Sequence, residues 1–274
     1  MPELPDLEVI REVLAPRLDG VAIASVAVRR PIIVRDLTGL PDLSDQLIGR
    51  RFAGVARRGK FLLLTLEDGL TIVVNPMLAG RLRLGAPLAK DRTRDALVIA
   101  LEDGRELRYN DQADMGKIYL ARDLSAVPGF AEQGPDADDP ALTLDAFCER
   151  LKRHPGEIKG ALTNQAFVAG IGNAYADEIC WCAQIYPFRR RASLKPEEIE
   201  RLYTCTRTVL AKAIETLRER VGERIEVEVR DFLAVHNRPG EPCPRCGGSI
   251  SEVKREKRAT HFCRACQPGL MVER

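Results

Sequence analysis

Four cysteines near the end of the 274-residue chain constrain its fold more than any other feature. They form two Cys-X-X-Cys pairs, with sixteen residues between Cys246 and Cys263. Two thiolates in one tight turn can reach the same ion, and two such turns on a β-hairpin complete a tetrahedron. The alternative is two unrelated pairs of buried thiols. The spacing predicts one structural zinc ion, with no position open for catalysis, held by Cys243, Cys246, Cys263 and Cys266.

The other four cysteines lie at apolar positions of helical patterns, and we expect small core residues at Cys148, Cys180, Cys182 and Cys205. No apolar run reaches about 18 residues, so we expect no transmembrane helix. The start, MPELPDLEVI, contains acidic side chains and no basic apolar leader, which argues against a secretory signal. We therefore expect a cytoplasmic protein, a setting in which disulfides are rare.

The first half of the chain has the pattern of one helix followed by short strands. Residues 6–18 place apolar side chains three and four positions apart, which predicts a helix. Two Asp-Gly pairs, at residues 68–69 and 103–104, separate apolar runs and predict hairpin turns. Regular spacing indicates an antiparallel β-sandwich, with strands expected at 23–28, 51–56, 61–66, 70–75, 96–101 and 106–109.

The second half is predicted to be helical. A stretch rich in Gly, Pro and acidic residues at 128–140 has the composition of a linker. Apolar spacing after it predicts helices at 144–151, 158–168, 174–183 and 196–218. We therefore expect an α+β protein with a β-sandwich domain at 1–127, a helical domain at 141–235 and a zinc finger at 236–274.

Basic residues are concentrated in a few segments of the chain, although basic and acidic residues are nearly equal in number. The 42 Lys and Arg and the 40 Asp and Glu residues leave a net charge of +2. Residues 49–60 nevertheless contain five basic side chains and no acidic one, and residues 189–191 are three arginines. Residues 243–274 carry seven basic against three acidic residues. A solvated face explains any one run, but three runs favour a groove for a polyanion such as nucleic acid.

The chain begins Met-Pro-Glu, which offers a nucleophile. Removal of Met1, which is usual before a small residue, leaves Pro2 as a secondary amine. An α-amino group has a pKa of about 8, so a neutral fraction near pH 7 can attack an electrophilic carbon. Glu3 would be the neighbouring acid or base. Taken alone, this start also fits a proline at the entry to a helix.

Four motifs, taken in order, give the chain a family resemblance. MPELPDLE at the start, ARRGKFLLL, AGIGNAYADEI and the terminal cysteine hairpin together resemble the formamidopyrimidine-DNA glycosylase/endonuclease VIII family of base-excision repair enzymes. The resemblance runs from Met1 to Gly269. It implies a helix plus β-sandwich domain, a helix–two-turn–helix domain with a zinc finger, and damaged DNA held in the cleft between them.

The resemblance assigns roles to individual residues. Pro2 becomes the nucleophile on C1′ of the damaged nucleotide, and Glu3 becomes the general acid/base. Lys60, Asn173 and Arg258 are placed on phosphates beside the lesion, and Lys60 and Arg258 also count as part of the catalytic site. The glycines before Asn173 expose backbone N–H groups at a helix start, which suits a phosphate.

The implied activity joins two steps. The enzyme would flip the damaged nucleotide out of the duplex, and Pro2 would displace its base. An iminium with the opened sugar would then lead to elimination of the 3′ and 5′ phosphates. The protein would thus be a bifunctional DNA glycosylase and AP lyase that uses zinc only structurally. We expect a monomer, associated with the nucleoid through DNA.

Two segments depart from the family pattern. The family's His-Leu-Gly-Met-Ser/Thr-Gly is here residues 75–80, with Leu78 at the position that fills the gap left by the flipped base. The family's Asn-Asp-Pro-Arg-Arg-Phe-Gly is here residues 110–116. Ala113 stands where an arginine contacts the orphaned base, and Met115 replaces the phenylalanine wedge. Asp114 adds negative charge near DNA.

A third departure lies between Arg218 and Pro242, which lacks the long Gly/Thr-rich loop that caps oxidised guanine in purine-specific members. The segment DFLAVHNRPGEPC looks closer to endonuclease VIII, and Asp6 stands where the family usually has glutamate. These departures suggest an atypical member. Its preference would lean to oxidised pyrimidines, ring-opened purines, abasic sites or single-stranded lesions.

Two other functions remain open from the sequence. A lesion-binding or structure-binding paralogue would keep the DNA clamp and lack base excision, which Ala113 and Asp114 favour. A zinc-ribbon transcription or RNA-binding factor explains the cysteines and basic runs but neither MPELP nor GIGNAYADE. Substitution of Pro2 or Glu3 separates the enzyme from both, because a pure binder has no strand cleavage to lose.

Overall fold

The computed structural model describes residues 1–90, 93–255 and 258–269. The chain forms two compact units, one of Met1–Glu132 with Ile214–Val229, and one of Gln133–Ala213 with the residues from Arg230 onward. The predicted α+β class is confirmed. Residues 256–257 and 270–274, which belong to the predicted basic finger, lie outside the described residues.

The described residues form six α-helices and eleven β-strands. The helices are α1 Leu4–Leu18, α2 Leu43–Leu47, α3 Leu144–Lys152, α4 Ile158–Thr163, α5 Asn173–Cys182 and α6 Pro196–Val221. The strands are β1 Ile23–Val28, β2 Val34–Asp36, β3 Phe52–Arg58, β4 Phe61–Leu66, β5 Thr71–Asn75, β6 Gly80–Gly85, β7 Asp95–Leu101, β8 Glu106–Asp111, β9 Lys117–Ala121, β10 Ile250–Arg255 and β11 Arg258–Cys263. None of these helices is both long and apolar enough to cross a membrane.

The first unit is a β-sandwich with α1 packed onto β3 and β4. One sheet has the strand order β1-β7-β8-β6 and the other β2-β9-β5-β4-β3. Neighbouring strands are antiparallel except β2 and β9, which run parallel. Buried side chains from both sheets and from α1 form one core that includes Leu14, Leu64, Ile72, Ile99 and Tyr109. The predicted helix and antiparallel sandwich are confirmed.

Both predicted Asp-Gly turns join antiparallel neighbours. The first connects β4 to β5 and the second connects β7 to β8. Gly69 has φ of 80° and Gly104 has φ of 84°, in the left-handed region that favours glycine. These turns fix the register in which alternate side chains enter the core.

The second unit is helical and ends in the β10–β11 hairpin. Edge-to-face rings pack its helices together: the Phe147 ring lies 5.0 Å from that of Phe167 and 5.5 Å from that of Tyr203. The helix predicted over 158–168 ends earlier, at Thr163. Asn164 is extended there and its side chain accepts a hydrogen bond from the Ala166 backbone N–H, so the chain turns instead of continuing the helix.

The expectation that Cys182 and Cys205 are separate core thiols is wrong. They form a disulfide that joins the last residue of α5 to the interior of α6. Cys180 is a fully buried thiol and Cys148 is half-buried. Helical apolar spacing put both cysteines on the facing sides of two helices, and that same placement brings their sulfurs into bonding range.

Candidate active-site and zinc-binding residues

Pro2 and Glu3 form the start of α1. Pro2 is buried, and Glu3 is only 2% exposed. Glu3 is the N-cap residue: its carboxylate accepts a hydrogen bond from the Asp6 backbone N–H, and its own N–H donates to the Asp6 carboxylate over 2.8 Å. This reciprocal capping box fixes the Glu3 carboxylate at the first turn of α1, in the residue that follows Pro2. Asp6 therefore completes the capping box at a position where the family usually has glutamate.

The chain terminus is anchored by a residue that the sequence motifs did not indicate. The Met1 ammonium lies 3.4 Å from a carboxylate oxygen of Glu228, and Glu228 also forms an ion pair with Arg81 on β6. While Met1 is present, the Pro2 nitrogen is an amide nitrogen and cannot act as a nucleophile. Glu228 lies far along the chain and in no recognisable motif, so only the fold brings it to the terminus.

Lys60 lies in the tight turn between β3 and β4, not within a strand. Gly59 takes a φ of 55°, and Arg58 pairs with Phe61 across the turn. Just before it, the Arg57 guanidinium donates to Glu8 on α1 over 2.7 Å. Burial raises the pKa of Glu8, but Arg11 and Arg57 outweigh it and hold that pKa below its usual range. The turn that carries Lys60 is therefore tied to the helix that begins at Pro2 and Glu3.

Leu78 and Met115 are exposed apolar side chains, as a wedge requires. Leu78 is 51% exposed and Met115 is 41% exposed. Asp111 shapes the loop that carries Met115, accepting hydrogen bonds from the backbone N–H groups of Ala113 at 2.9 Å and Gly116 at 2.6 Å. Both side chains are held at the surface by ordered turns.

The negative charge expected from Asp114 is neutralised. Its carboxylate forms ion pairs with Arg30 and with Arg94, the latter over 2.7 Å. The three side chains together carry a charge of +1. Because the loop at 110–116 also contains the buried Asp111, its two aspartates and these two arginines carry no net charge next to the Met115 side chain.

Asn173 and Arg258 are brought together in the second unit. Asn173 is the first residue of α5, and its side-chain amide donates to the carbonyl oxygen of Ala259 over 3.0 Å. Ala259 follows Arg258, the first residue of β11. The exposed Arg258 side chain and the N-terminus of α5 thus belong to one local surface, which combines a guanidinium with the backbone N–H groups of a helix start.

A buried ion pair that the sequence reasoning missed holds this arrangement. The Lys159 ammonium on α4 lies 2.6 Å from Asp177 on α5, and it donates to Thr260 Oγ1 at 2.9 Å and to the Ala259 carbonyl at 3.2 Å. Burial raises the pKa of Asp177, but hydrogen bonds from His236 and His261 and the Lys159 charge hold that pKa below its usual range. The Lys159 ammonium supplies a positive charge beside Asp177, His236 and His261, so this group of side chains needs no metal ion to balance the carboxylate.

The four predicted zinc ligands converge. Their sulfurs all lie within 4.8 Å of one another, with 3.9 Å between Cys243 and Cys266 and 3.4 Å between Cys246 and Cys263. A tetrahedron with Zn–S bonds of about 2.3 Å has sulfurs about 3.8 Å apart. The donor set and spacing fit a structural zinc ion.

The surroundings of Cys243 favour its thiolate, whereas burial raises the pKa of Cys263 and Cys266. Burial raises the pKa of Cys243, but the Trp181 indole N–H, which donates to its sulfur over 3.4 Å, and nearby backbone N–H groups outweigh burial and lower that pKa to about 6. The thiolate is the form that binds zinc. Trp181 immediately precedes Cys182, so α5 connects the metal site to the disulfide.

Family models match most of the chain in the order of these features. Residues 1–118 match the formamidopyrimidine-DNA glycosylase N-terminal domain, and residues 133–224 match the formamidopyrimidine-DNA glycosylase H2TH domain. Residues 240–269 match the zinc finger found in FPG and IleRS. The chain therefore carries one structural zinc ion in a recognised type of finger.

Relatives match over nearly the whole length. A formamidopyrimidine-DNA glycosylase of Symbiobacterium thermophilum is 40% identical, with 98% of this chain and 90% of the relative covered. One of Heliobacterium modesticaldum is 39% identical, with 97% and 100% covered. The structure of Lactococcus lactis Fpg in complex with an abasic site containing DNA has a TM-score of 0.88 at 31% identity, covering 97% of this chain and 100% of that one. A structure of MutM in complex with carbocyclic 8-oxo-G containing DNA has a TM-score of 0.87 at 31% identity, covering 98% and 100%. From its N-terminal capping box to its cysteine finger, the chain belongs to the formamidopyrimidine-DNA glycosylase family.

Proposed function

We propose that the protein is a base-excision DNA glycosylase with AP lyase activity, acting on oxidised or ring-opened bases. The Pro2–Glu3 pair at the start of α1 carries this proposal, because it places a carboxylate beside a nitrogen that becomes an amine when Met1 is removed. A mutant of Lactococcus lactis FPG has been solved with Fapy-dG containing DNA, and MutM with carbocyclic 8-oxo-G containing DNA. Both lesions are candidate substrates of this chain.

In the proposed reaction, the neutral Pro2 nitrogen attacks C1′ of the flipped nucleotide. The C1′–N bond to the base breaks, and the base leaves with a proton supplied through Glu3. Opening of the sugar gives an iminium between Pro2 and C1′. Loss of a proton from C2′ then expels the 3′ phosphate, and a second elimination expels the 5′ phosphate. Attack and protonation require both groups near C1′, and the proposal is supported by their adjacency in the sequence and by the capping box that orders Glu3.

DNA contacts divide between phosphate binding and wedging. We assign Lys60, Asn173 and Arg258 to phosphates, since each sits on a turn or an element end with a donor side chain. Leu78 and Met115 are assigned to the gap that a flipped nucleotide leaves, since both are exposed apolar side chains on ordered turns.

We also propose that the protein acts as a monomer on chromosomal DNA in the cytoplasm. All assigned groups come from one chain, so the proposed chemistry requires no second copy. As stretches of sequence, the proposed domains are 1–127 and 141–235, joined by 128–140, and a finger domain at 236–274.

Borohydride trapping tests the function. Protein with Met1 removed is incubated with duplex DNA containing one abasic site, and borohydride reduces any iminium to a stable bond. We expect a one-to-one adduct that maps to Pro2 and is absent in Pro2→Gly. If a confirmed free Pro2 gives no adduct despite tight, salt-sensitive binding, the lyase activity is refuted and the chain is a DNA-binding paralogue.

A further inference from the structure

The last turn of α5 lies between α6 on one side and the cysteine finger on the other. Its last residue, Cys182, is joined by the disulfide to Cys205 of α6. Arg201 of α6 also donates to the carbonyl oxygen of Ala183 over 2.6 Å. The chain leaves α5 through Gln184, which has a φ of 57°, a conformation that residues with a side chain rarely adopt. Contacts with α6 therefore hold a turn whose backbone does not favour its own geometry.

The first cysteine pair of the finger rests on this same turn. The Trp181 indole N–H donates to the Cys243 sulfur over 3.4 Å. The Arg245 guanidinium lies 4.2 Å from the centre of the Trp181 ring and donates to the carbonyl oxygens of Trp181, over 2.9 Å, and Cys182, over 3.4 Å. Trp181 also packs against the small buried cluster that contains Cys243 and Cys263. Zinc ligands are thus positioned by the turn that the disulfide fixes.

The two sulfurs of the disulfide differ in exposure. Cys182 is half-buried, whereas Cys205 is only 6% exposed. A reagent therefore reaches Cys182 first, and Cys205 is already close enough to react with the oxidised product. An accessible cysteine beside a second one that resolves its oxidised form is typical of redox-responsive pairs. In the cytoplasm, where we place the protein, a disulfide is usually transient and redox-sensing, and rarely structural.

We propose that Cys182 and Cys205 form a reversible redox site, oxidised by hydrogen peroxide and reduced by a dithiol, and that oxidation slows the release of zinc from the finger. The Cys182 sulfur attacks a peroxide oxygen and the O–O bond breaks, which gives a sulfenic acid and one water. The Cys205 sulfur then displaces the sulfenic oxygen as a second water, and the S–S bond forms. The two sulfurs lose two electrons to the peroxide, and both thiol protons leave in water. In the reverse direction, a dithiol opens the bond through a mixed disulfide and is itself oxidised to a disulfide.

The bond affects zinc through the free energy needed to open the end of α5. The disulfide closes a loop between residues 23 positions apart, which restricts the conformations of the opened chain. In the reduced form this restriction is absent, so the turn opens at a lower cost and withdraws the Trp181 N–H from Cys243. A ligand must leave the ion before zinc dissociates, so the reduced form releases zinc faster. The inference concerns the finger alone and does not depend on the proposed glycosylase chemistry.

Zinc release from the full-length, zinc-loaded protein in both redox forms tests the site. Tris(2-carboxyethyl)phosphine reduces the pair, and a small excess of hydrogen peroxide oxidises it again, with mass spectrometry of the alkylated protein showing which cysteines are bonded. We expect the reduced form to transfer zinc to a chromophoric chelator about tenfold faster, a difference of about 1.4 kcal/mol in activation free energy. Equal rates in two verified forms, or failure of peroxide to join Cys182 to Cys205, overturn the proposal.

Two variants locate the effect. Cys205→Ala cannot form the bond and should release zinc at the reduced rate with or without peroxide. Cys148→Ala is the matched control, because it removes a half-buried free thiol on α3, and it should keep the full difference between the two forms. If peroxide still slows zinc release in Cys205→Ala, the response arises elsewhere and the assignment is refuted. The wild-type comparison needs no variant to fold, and none of these readouts uses DNA cleavage, so failure of the proposed function is a separate outcome.

Discussion

At the scale of single residues, Glu3 has two separable roles. Its carboxylate caps α1 by accepting from the Asp6 N–H, and in the proposed reaction it also transfers a proton. The first role needs only an acceptor oxygen, whereas the second needs a group that ionises. A glutamine keeps the oxygen and the length of the side chain but cannot exchange the proton.

Glu3→Gln and Glu3→Ala should therefore separate capping from chemistry. We expect both variants to lose base excision by about 100-fold or more, the usual size of a general acid–base contribution. Only the alanine variant should also lose about 1 kcal/mol of unfolding free energy, because it removes the cap. Denaturant unfolding and single-turnover excision assays measure the two effects. Unchanged excision in Glu3→Gln would contradict the proton-transfer role.

Short motifs carry the zinc ligands, which are confirmed, and the catalytic and DNA-binding residues, which stay predictions. Pro2, Glu3, Lys60, Asn173, Arg258 and the four cysteines each sit in a local pattern of the sequence. Glu228 and Arg81 do not: they are 147 positions apart, and only the folded chain shows their ion pair. The charge of Asp114 was misjudged for the same reason, since Arg30 and Arg94 reach it from other parts of the sequence.

At the scale of elements, Lys159 joins α4, α5 and β11 from the inside of the second unit. It pairs with Asp177 on α5 and donates to the backbone and side chain of β11. The pKa of Asp177 lies below its ordinary value of 3.8. The ionised carboxylate therefore stabilises the fold above about pH 4, and that stabilisation is lost as the pH falls through and below this value.

Lys159→Met tests the ion pair between Lys159 and Asp177. Removing the ammonium leaves the buried Asp177 with less compensation, so we expect a loss of about 3 kcal/mol in unfolding free energy at pH 7. The loss should shrink below about pH 4, where protonation of Asp177 removes the pair from the wild type as well. Urea unfolding across pH measures it. Lys152→Met, on exposed Lys152 of α3, is the control and should change stability by less than about 0.5 kcal/mol. A pH-independent loss would refute the charge explanation.

Elements with clear periodicity were predicted, and the short ones were not. The strands over 23–28 and 61–66 and the long helix starting at Pro196 match their predicted positions. β2 is three residues long and depends on pairing with β9. Its sequence is too short to show the alternation of polar and apolar side chains that predicts a strand. β6 is the exception, because its arginines alternate with leucines in the pattern of a half-buried strand, yet the sequence reasoning did not predict it.

At the scale of the whole molecule, a basic run in the sequence overstates the positive charge available to DNA. Arg57 is paired with Glu8, Arg50 with Asp68, and Arg189 with Glu198. Each of these arginines belongs to a predicted basic run, but its charge is matched within the fold. Composition indicated a polyanion partner, whereas only the structure separates the arginines that hold the protein together from those that can contact phosphate.

Arg258 should contribute to the salt dependence of DNA binding. We expect Arg258→Gln to lower the slope of log affinity against log salt by about 1, because one phosphate contact and its released counterions are lost. Arg35→Gln, which changes an exposed arginine on β2, is the control and should leave the slope unchanged. Binding isotherms on duplex DNA containing an abasic-site analogue, at several salt concentrations, give both values. Equal slopes for Arg258→Gln and the wild type would remove Arg258 from the phosphate contacts.

The Glu228 anchor on the Met1 ammonium has a practical consequence for anyone who prepares this protein. In the proposed mechanism, an affinity tag fused to the N-terminus lengthens the chain at the point where removal of Met1 must expose the Pro2 amine. Such a preparation would fold, load zinc and bind DNA, yet remain inert in every cleavage assay. A C-terminal tag, with mass spectrometry to verify that an aminopeptidase has trimmed the chain, avoids mistaking an immature protein for an inactive one.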